Sequence, residues 1–356
     1  MRVAGGEPSR QELNRRRRRS GFIGRRGELS VFRESLERDP QDEAFQYLFH
    51  VHGQAGVGKT SLVRQWETAA REREAVTAYL DDDVHSVIEA METISVQLGR
   101  QQVVLKRFEK LLATYRQRRH EAETPGPGTA APGTADGAQS AAASASSTVI
   151  AQAGLAGLGM VPGLGAFAGA MDPQQLAQST DRLRAALSAR LRSHDDVQLV
   201  LSPVQVLTPV FLHDVAEAAE RHARVVLFFD VFEQTGPVLN SWLRDVLTGE
   251  EYGELPANLV AVLSGQGRLD ARCWGDHLEL VAEVPLEVFT EDEARRLLAA
   301  RGVSDPDVIE VVLQLSGRLP VLVDLLAQNR PRTAIEIGDH SDTAVERFLK
   351  WETDPH

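Results

Sequence analysis

Cysteine is nearly absent from this chain of 356 residues, and Cys273 is its sole example. One cysteine excludes an internal disulfide and a cysteine-based zinc cluster, so the chain suits a reducing compartment. A recognisable export signal is also lacking, because the arginines at 15–19 are not followed by the long apolar stretch that such a signal needs. These absences favour a cytoplasmic protein.

Positive charge is scarce beyond the first 26 residues. The net charge is −12, yet residues 1–26 hold nine arginines against Glu7 and Glu12. Five consecutive arginines, Arg15–Arg19, could bind phosphate or an acidic surface. A charge block of this length is more typical of a solvated tail, and no other part of the chain combines a basic face with aromatics. Binding of nucleic acid through this tail is therefore an alternative, not the favoured interpretation.

Charge of either sign is missing from residues 137–171. This run lies within a segment, 121–175, that is rich in Pro, Gly, Ala and Ser and buries too little apolar surface to order itself. Glycines let helices approach closely in membranes, but Pro162 interrupts the apolar part. We interpret the segment as a flexible insert. Self-association, a partner surface and membrane contact are the alternatives.

What the chain does contain is the spacing of a phosphate-binding loop. The pattern glycine, four residues, glycine-lysine-threonine spans residues 53–60. An apolar run of strand length at 47–51 precedes it, and a segment with helical spacing of its apolar residues follows at 61–70. Strand, loop and helix in this order are the context that the motif requires.

Each residue type in the loop has a chemical reason. Glycines let successive backbone N–H groups turn toward phosphates. Lys59 supplies a positive charge for the β and γ phosphates during catalysis, and the Thr60 hydroxyl is placed to hold Mg²⁺. The helix that starts there adds its positive end. The predicted nucleotide-binding residues of the loop are Gly53, Gln54, Ala55, Gly56, Val57, Gly58, Lys59, Thr60 and Ser61.

A second candidate metal ligand, in addition to Thr60, follows a later strand. The apolar run at 224–229 is typical of a strand buried on both faces of a parallel sheet, and it ends in Asp230. Because ligands bind beyond the carboxyl ends of such strands, we predict that Asp230 and Thr60 share a Mg²⁺ ion. Glu233, three positions further on, is the candidate that orients or deprotonates the attacking water, or else it caps the next helix.

The pattern predicts an α/β fold, a P-loop NTPase with a parallel sheet flanked by helices, followed by a small all-helical subdomain. Thr290 with Glu293 forms a predicted capping box, and Asp305-Pro306 predicts the start of another helix. The spacing also predicts helical structure over residues 84–120 and an edge hairpin at 197–209. The predicted segments are a basic tail (1–20), the first part of the nucleotide-binding domain (21–120), the insert (121–175), the second part (176–284), and the helical subdomain with the start of a further domain (285–356).

In this order the motifs resemble the nucleotide-binding module of the STAND ATPases, relatives of AAA+ proteins that include NB-ARC and NACHT modules. The resemblance covers residues 21–110 and 195–351 and includes the Gly-Arg pair before the loop and the Gly317 to Pro320 motif. The chain departs from many relatives at Val231, which takes the place of a second acid.

The resemblance implies residue roles that the spacing alone does not give. Ile23, Gly24 and Arg25 would line the base pocket, and Pro320 would pack near the adenine. Either Gln266 or Arg268, at the tip of the strand at 258–265, would sense the γ-phosphate; the sequence does not choose between them.

The resemblance also implies a function. The chain would be a slow ATPase that uses ATP, ADP and Mg²⁺, closed with ADP and forming a homo-oligomer with ATP, and it would couple sensing to an effector partner. ATP is expected over GTP on the grounds of this resemblance alone, and no guanine-reading motif stands at a late strand tip. The alternatives are an AAA+-type ATPase that binds nucleic acid through Arg15–Arg19, a switch that contacts a membrane through residues 149–171, and a nucleotide-dependent scaffold without turnover. The final segment, 341–356, looks like the opening of a winged-helix domain, so the chain is either a fragment or works with separate partners.

Overall fold

A central sheet of five strands organises the part of the chain that can be described. The computed structural model describes residues 22–123, 193–249 and 251–328, together with residues 10, 187, 191, 330, 331 and 333. The strands are β1 (Leu48–His52), β2 (Val76–Leu80), β3 (Val225–Phe229), β4 (Leu259–Gly265) and β5 (Ala282–Pro285). The strands predicted at 47–51, 224–229 and 258–265 correspond to β1, β3 and β4.

All four strand pairings are parallel, and the order across the sheet is β2-β3-β4-β1-β5. The strand that precedes the phosphate loop, β1, is therefore separated from β3 by β4. Residues in β2, β3 and β4 are buried without exception, which explains why their sequences are continuous apolar runs. The carboxyl ends of all five strands meet at one edge.

Helices cover both faces of the sheet. Those of the nucleotide-binding part are α1 (Arg26–Glu37), α2 (Lys59–Glu72), α3 (Val87–Gly99), α4 (Lys106–Glu123), α5 (His194–Leu201), α6 (Pro203–Ala219), α7 (Phe232–Thr248) and α8 (Ala271–Trp274), and those of the subdomain are α9 (Glu291–Arg301), α10 (Pro306–Ser316) and α11 (Pro320–Ala327). The helical structure predicted at 84–120 is confirmed as two helices, since α3 ends at Gly99 and a turn separates it from α4.

Two apolar layers hold the sheet between the helices. On one face Phe32 of α1 stacks on Trp66 of α2 with ring centroids 4.4 Å apart, and both side chains are fully buried. On the other face Phe108 and Phe211 join α4 to α6 in an edge contact of 5.2 Å. Burial of each large aromatic side chain contributes about 1.5–3 kcal/mol, so these layers dominate the stability of the domain.

The helical subdomain forms as the caps in the sequence predict. The Thr290 hydroxyl accepts from the Glu293 N–H while the Glu293 carboxylate accepts from the Thr290 N–H, which is a complete capping box. The Asp305 side chain caps α10, and Gly317 ends that helix in the left-handed conformation. The three helices bury a core of their own around Leu298, and they follow directly from β5 through a short linker.

The predicted edge hairpin at 197–209 is wrong, because the segment forms parts of α5 and α6. The Ser193 hydroxyl caps α5, and Pro203 occupies the first turn of α6, where a missing N–H is tolerated. Apolar residues of α6 recur at helical spacing, so burial outweighs the strand propensity of the valines. The buried positions are Leu207, Phe211, Val215 and their neighbours.

Several predictions concern residues outside the described part of the chain. They are the Arg15–Arg19 tail, the insert from residue 124 onward, and the segment at 341–356. The helix α4 continues to Glu123, three residues into the range predicted for the insert. Among described residues no single helix has the length and apolarity to cross a membrane; α5 and α6 reach that threshold only as a pair, with a 96° bend between them.

A candidate nucleotide site at the strand tips

The phosphate-loop segment connects β1 to α2 with the geometry that its glycines require. A Cβ on Gly53 would lie 2.3 Å from the Leu286 carbonyl oxygen, so only glycine fits this close approach. Gly58 caps α2 with φ at 94°, a conformation that side chains disfavour, although a Cβ there would meet no atom within 4 Å. Gly53 is thus required by the limited space, and Gly58 is required by its backbone conformation. The loop therefore reaches α2 with its N–H groups at the start of the helix.

Lys59 lies at the base of the loop. Its Nζ donates to the carbonyl oxygens of Gly53 at 2.8 Å and Gln54 at 3.2 Å. Burial lowers the pKa of Lys59, and the nearby carboxylates of Glu233 and Asp230 oppose that shift. The cation, the loop and two acids thus converge on one place, where a polyphosphate would add the negative charge that the lysine is positioned to meet.

Asp230 lies directly after β3, is 2% exposed, and is held by a residue that the sequence did not identify. The Tyr79 hydroxyl, on the neighbouring strand β2, donates to Asp230 Oδ2 at 2.5 Å. Burial and the negative charge of Asp230 raise the pKa of Tyr79, so the phenol keeps its proton and remains a donor. The Arg64 guanidinium lies over the Tyr79 ring at 3.2 Å from its centroid.

Glu233 occupies the first turn of α7, and its carboxylate is already engaged. Its Oε2 accepts from the backbone N–H of Gln266 at 3.1 Å, which ties the start of α7 to the tip of β4. Val231 precedes α7 with φ at 53°, an uncommon conformation for a β-branched residue. Such strained positions cluster at functional sites, and this one lies on the wall of the cavity described next.

These groups line one cavity of about 670 Å³, and this volume is typical of a small-molecule site. It lies between the carboxyl edge of the sheet and the helical subdomain. The site residues predicted from the sequence that line this cavity are Ile23, Arg25, Ala55, Gly56, Val57, Gly58, Lys59, Thr60, Ser61, Asp230, Glu233, Gln266 and Pro320. Lining that the sequence did not identify includes Phe289, Leu297, Arg301, Val321 and Asp324; these residues carry no motif, and only the packing of the subdomain brings them here.

Gly24, Gly53, Gln54 and Arg268 are the predicted site residues that do not line the cavity. Gly53 and Gln54 take part through their carbonyls on Lys59. The Arg268 side chain is 76% exposed and its nearest acid is Glu283, 3.9 Å away. Of the two sensor candidates, only Gln266 therefore faces the cavity.

Arg25 has a wider role than the lining of a base pocket. Its side chain is 7% exposed and donates to the carbonyl oxygen of Val57, inside the phosphate loop, at 3.1 Å, and to that of Glu287 in the linker after β5. Its backbone N–H donates to Glu293 Oε1 at 2.8 Å, so it also holds the first helix of the subdomain. Gly24 allows this approach, because a Cβ there would lie 2.6 Å from the same carboxylate.

The subdomain touches the phosphate loop directly at the start of α11. Pro320 is the first residue of α11 and is buried against the cavity. The following N–H, of Val321, donates to the Gly56 carbonyl oxygen at 3.2 Å. Two loop carbonyls, those of Gly56 and Val57, are therefore bound by residues outside the sheet. The bond from Val321 connects the phosphate loop directly to the subdomain.

Thr60 and Asp230 fit the divalent cation that the loop implies. Both line the cavity, and hydroxyl and carboxylate oxygens are the ligands that Mg²⁺ prefers. The acidic run Asp81–Asp83 follows β2, and Asp82 lines the same cavity. Burial and the charge of Asp83 raise the pKa of Asp81.

The sheet order and the loop geometry together define an α/β P-loop NTPase fold with a helical part. No protein-family model and no curated protein matches the chain. Among solved structures it is similar to Cdc6p of Pyrobaculum aerophilum, with 13% identity and a TM-score of 0.43, over 95% of this chain and 65% of that one. It is also similar to a Walker-type ATPase of Pyrococcus abyssi, with 15% identity and a TM-score of 0.43, over 99% of this chain and 78% of that one.

Proposed function

We propose that this chain binds ATP with Mg²⁺, hydrolyses ATP slowly, and acts as a STAND-type molecular switch. The observation that carries the proposal is a single cavity lined by the phosphate loop, by Asp230 and by the helical subdomain. A site built in this way would place the nucleotide between two parts of the molecule. Its occupancy would then set their relative position.

The residues divide the chemistry among them. The N–H groups of the loop and Lys59 would bind the β and γ phosphates, and Thr60 and Asp230 would hold Mg²⁺. The ion, when bound, neutralises charge on the phosphate oxygens. Glu233 would orient or deprotonate the attacking water once its carboxylate leaves the Gln266 N–H. Gln266, which lies at the tip of β4 and lines the cavity, would sense the γ-phosphate.

The switch would act through the contacts between the loop and the subdomain. The Gly56 and Val57 carbonyls accept from Val321 and Arg25, so a phosphate that reorients the loop peptides would pull on both bonds. On the opposite wall Arg301 and Asp324 form an ion pair within the subdomain, with Nε and Oδ1 2.6 Å apart. We propose that ATP shifts the subdomain and exposes a surface for homo-oligomerisation and for an effector protein.

The test is the mass of the particle in each nucleotide state. Size-exclusion chromatography with light scattering would be run with ADP and with a non-hydrolysable ATP analogue, beside Lys59→Ala as the control that should not respond. A larger particle with the ATP analogue, absent in Lys59→Ala, supports a switch. One mass in both states, together with ATP turnover, would show an ATPase that does not switch by assembly.

A further inference from the structure

A second group of potential ligands lies beneath the phosphate loop, on a different surface of the sheet. His50 and His52 are two residues apart on β1, so they face the same side. Glu283 on β5 pairs in register with His50 and presents its side chain to the same side. None of the three lines the nucleotide cavity.

The donor atoms of the three side chains are close together. One nitrogen from each histidine and one carboxylate oxygen all lie within 4.8 Å of one another. His52 Nε2 is 3.9 Å from Glu283 Oε2, and the imidazole rings lie 5.1 Å apart with planes 23° from parallel. Donor atoms around a tetrahedral zinc ion with bonds of about 2.1 Å lie roughly 3.4 Å apart, so modest rotamer adjustments bring the three to ligand distance.

The buried and unpaired side chain of His50 points to a ligand. Its side chain is 1% exposed, and within the described part of the chain its Nδ1 has no hydrogen-bond partner. His52 Nε2 is likewise buried without one. Buried polar groups are normally paired, and each exception needs an explanation.

We propose that His50, His52 and Glu283 bind a divalent transition-metal ion, with Zn²⁺ preferred. Two imidazoles and one carboxylate suit zinc, whereas Mg²⁺ and Ca²⁺ select sets of oxygen ligands. Glu283 is 38% exposed, which gives the ion a path from solvent and leaves a fourth position for water. Arg268 approaches Glu283 at 3.9 Å, but its side chain is 76% exposed and can turn away.

The position of the three residues gives the ion a structural role. It would join β1 to the edge strand β5 at the point where β1 enters the phosphate loop, because Gly53 follows His52 directly. The Leu286 N–H already donates to the His52 carbonyl oxygen at 2.7 Å, so a bound ion would add a second link between the loop and the strand that leads to the subdomain.

The other cluster of possible metal ligands in the described residues consists of His213, Asp214 and Glu217. The cationic side chain of Arg107 already lies among them. Arg107 Nη1 lies 2.8 Å from His213 Nδ1, 2.9 Å from Glu217 Oε2 and 3.3 Å from Asp214 Oδ1. We therefore do not propose a metal site at this cluster. It supplies a matched control, since His213→Ala removes a histidine with acidic neighbours elsewhere on the same protein.

The test uses the full chain, freed of metals and nucleotide and without an affinity tag. Zn²⁺ is titrated in millimolar Mg²⁺, which competes at an oxygen site but not at a histidine site, and bound zinc is measured by mass spectrometry. We expect one tightly bound zinc per chain, kept in His213→Ala and weakened at least about tenfold in His52→Ala and Glu283→Gln. Circular dichroism confirms that each variant is folded, and the exposed Glu283 makes its variant the safer of the two.

A cobalt spectrum gives a second readout. Co²⁺ should show the intense visible absorption of a four-coordinate site in the parent and in His213→Ala, and lose it in Glu283→Gln. The proposal is overturned if the parent binds no stoichiometric zinc, if both site variants bind zinc as tightly as the parent, or if His213→Ala is the variant that loses it. Because no nucleotide is present, none of these results depends on ATP binding.

Discussion

The Tyr79 hydroxyl and the Asp230 carboxylate are joined by a buried hydrogen bond of 2.5 Å. They come from neighbouring strands, β2 and β3, which pair in parallel so that Tyr79 lies beside Phe228, two residues before Asp230. The hydrogen bond fixes the orientation of a carboxylate that is buried next to the proposed Mg²⁺ position. Tyr79 is thus a positioning residue for the metal.

The first prediction concerns Tyr79→Phe, which removes only the hydroxyl. Loss of a hydrogen bond to a charged group costs about 1.5 kcal/mol, equivalent to roughly a tenfold change in an equilibrium constant. We expect the Mg²⁺ concentration at half-maximal ATP turnover to rise about tenfold, since the carboxylate is no longer held. The measurement is phosphate release against Mg²⁺ at fixed ATP.

Tyr115→Phe is the control for this variant. Tyr115 is another buried tyrosine, but it lies on α4 away from the cavity. Loss of the Tyr115 hydroxyl should leave the Mg²⁺ dependence of ATP turnover unchanged. If Tyr79→Phe and Tyr115→Phe gave the same Mg²⁺ midpoint as the parent, Tyr79 would have no part in holding the metal.

The second prediction separates hydrolysis from binding at Glu233. General-base catalysis contributes about 10²–10⁴-fold, so Glu233→Gln should lower ATP turnover at least about 100-fold while nucleotide affinity stays within about twofold. Glu251→Gln, an exposed acid beyond α7, should match the parent. Unchanged phosphate release from Glu233→Gln would instead favour a scaffold in which Glu233 only caps a helix.

The third prediction tests the junction at Arg25. Arg25→Ala leaves the carbonyls of Val57 and Glu287 without their donor and removes a buried cation. We expect the free energy of unfolding to fall by about 2–3 kcal/mol and ADP binding to weaken, because the loop and the subdomain lose a shared partner. Arg26→Ala, at the exposed neighbouring position, should change neither. Equal urea midpoints for the two variants would show that Arg25 does not join these parts.

The fourth prediction is a dependence of stability on pH through Glu293. Burial alone would raise the pKa of Glu293, but hydrogen bonds from the Arg25 and Thr290 N–H groups lower it below its ordinary value of 4.5. A group whose pKa is lowered by folding stabilises the fold above its unfolded pKa and loses this contribution as pH falls. The stability that Glu293 provides should therefore disappear below about pH 4.5.

Glu293→Ala should lower the free energy of unfolding by about 1 kcal/mol at neutral pH, and the difference from the parent should vanish as the pH falls toward 3. Asp292→Ala removes a neighbouring acid from the same first turn and should show a smaller effect. Urea titrations at several pH values provide the measurement. A difference that persists unchanged at low pH would mean that the Glu293 charge is not responsible.

Local features of the chain were predictable from the sequence, because local chemistry determines them. The loop at 53–60, the run that ends at Asp230, and the caps at Thr290 and Asp305 each form within a few residues, and the structure has them where the sequence places them. Gly317 and Pro320 also end and begin helices as their backbone preferences dictate.

Contacts between distant residues were not predictable. Tyr79 is 151 positions from Asp230, and an aromatic in a strand is no signal of such a partner. Arg25 reaches Glu287 and Glu293, 262 and 268 positions away, although the resemblance implied only a place in the base pocket. The helices at 197–209 were missed because the burial that stabilises them is set by α3 and α4, not by the propensity of the valines.

The loop at 53–60 is proposed to bind a nucleoside triphosphate together with Mg²⁺. The most direct measurement is a titration of the parent and of Lys59→Ala with a fluorescent adenine nucleotide and Mg²⁺, with Lys110→Ala, an exposed lysine of α4, as the control. The account predicts saturable binding by the parent and by Lys110→Ala, and at least about tenfold weaker binding by Lys59→Ala, which loses the charge that meets the phosphates. Binding of equal strength by the parent and Lys59→Ala, or no saturable signal from the parent, would contradict it.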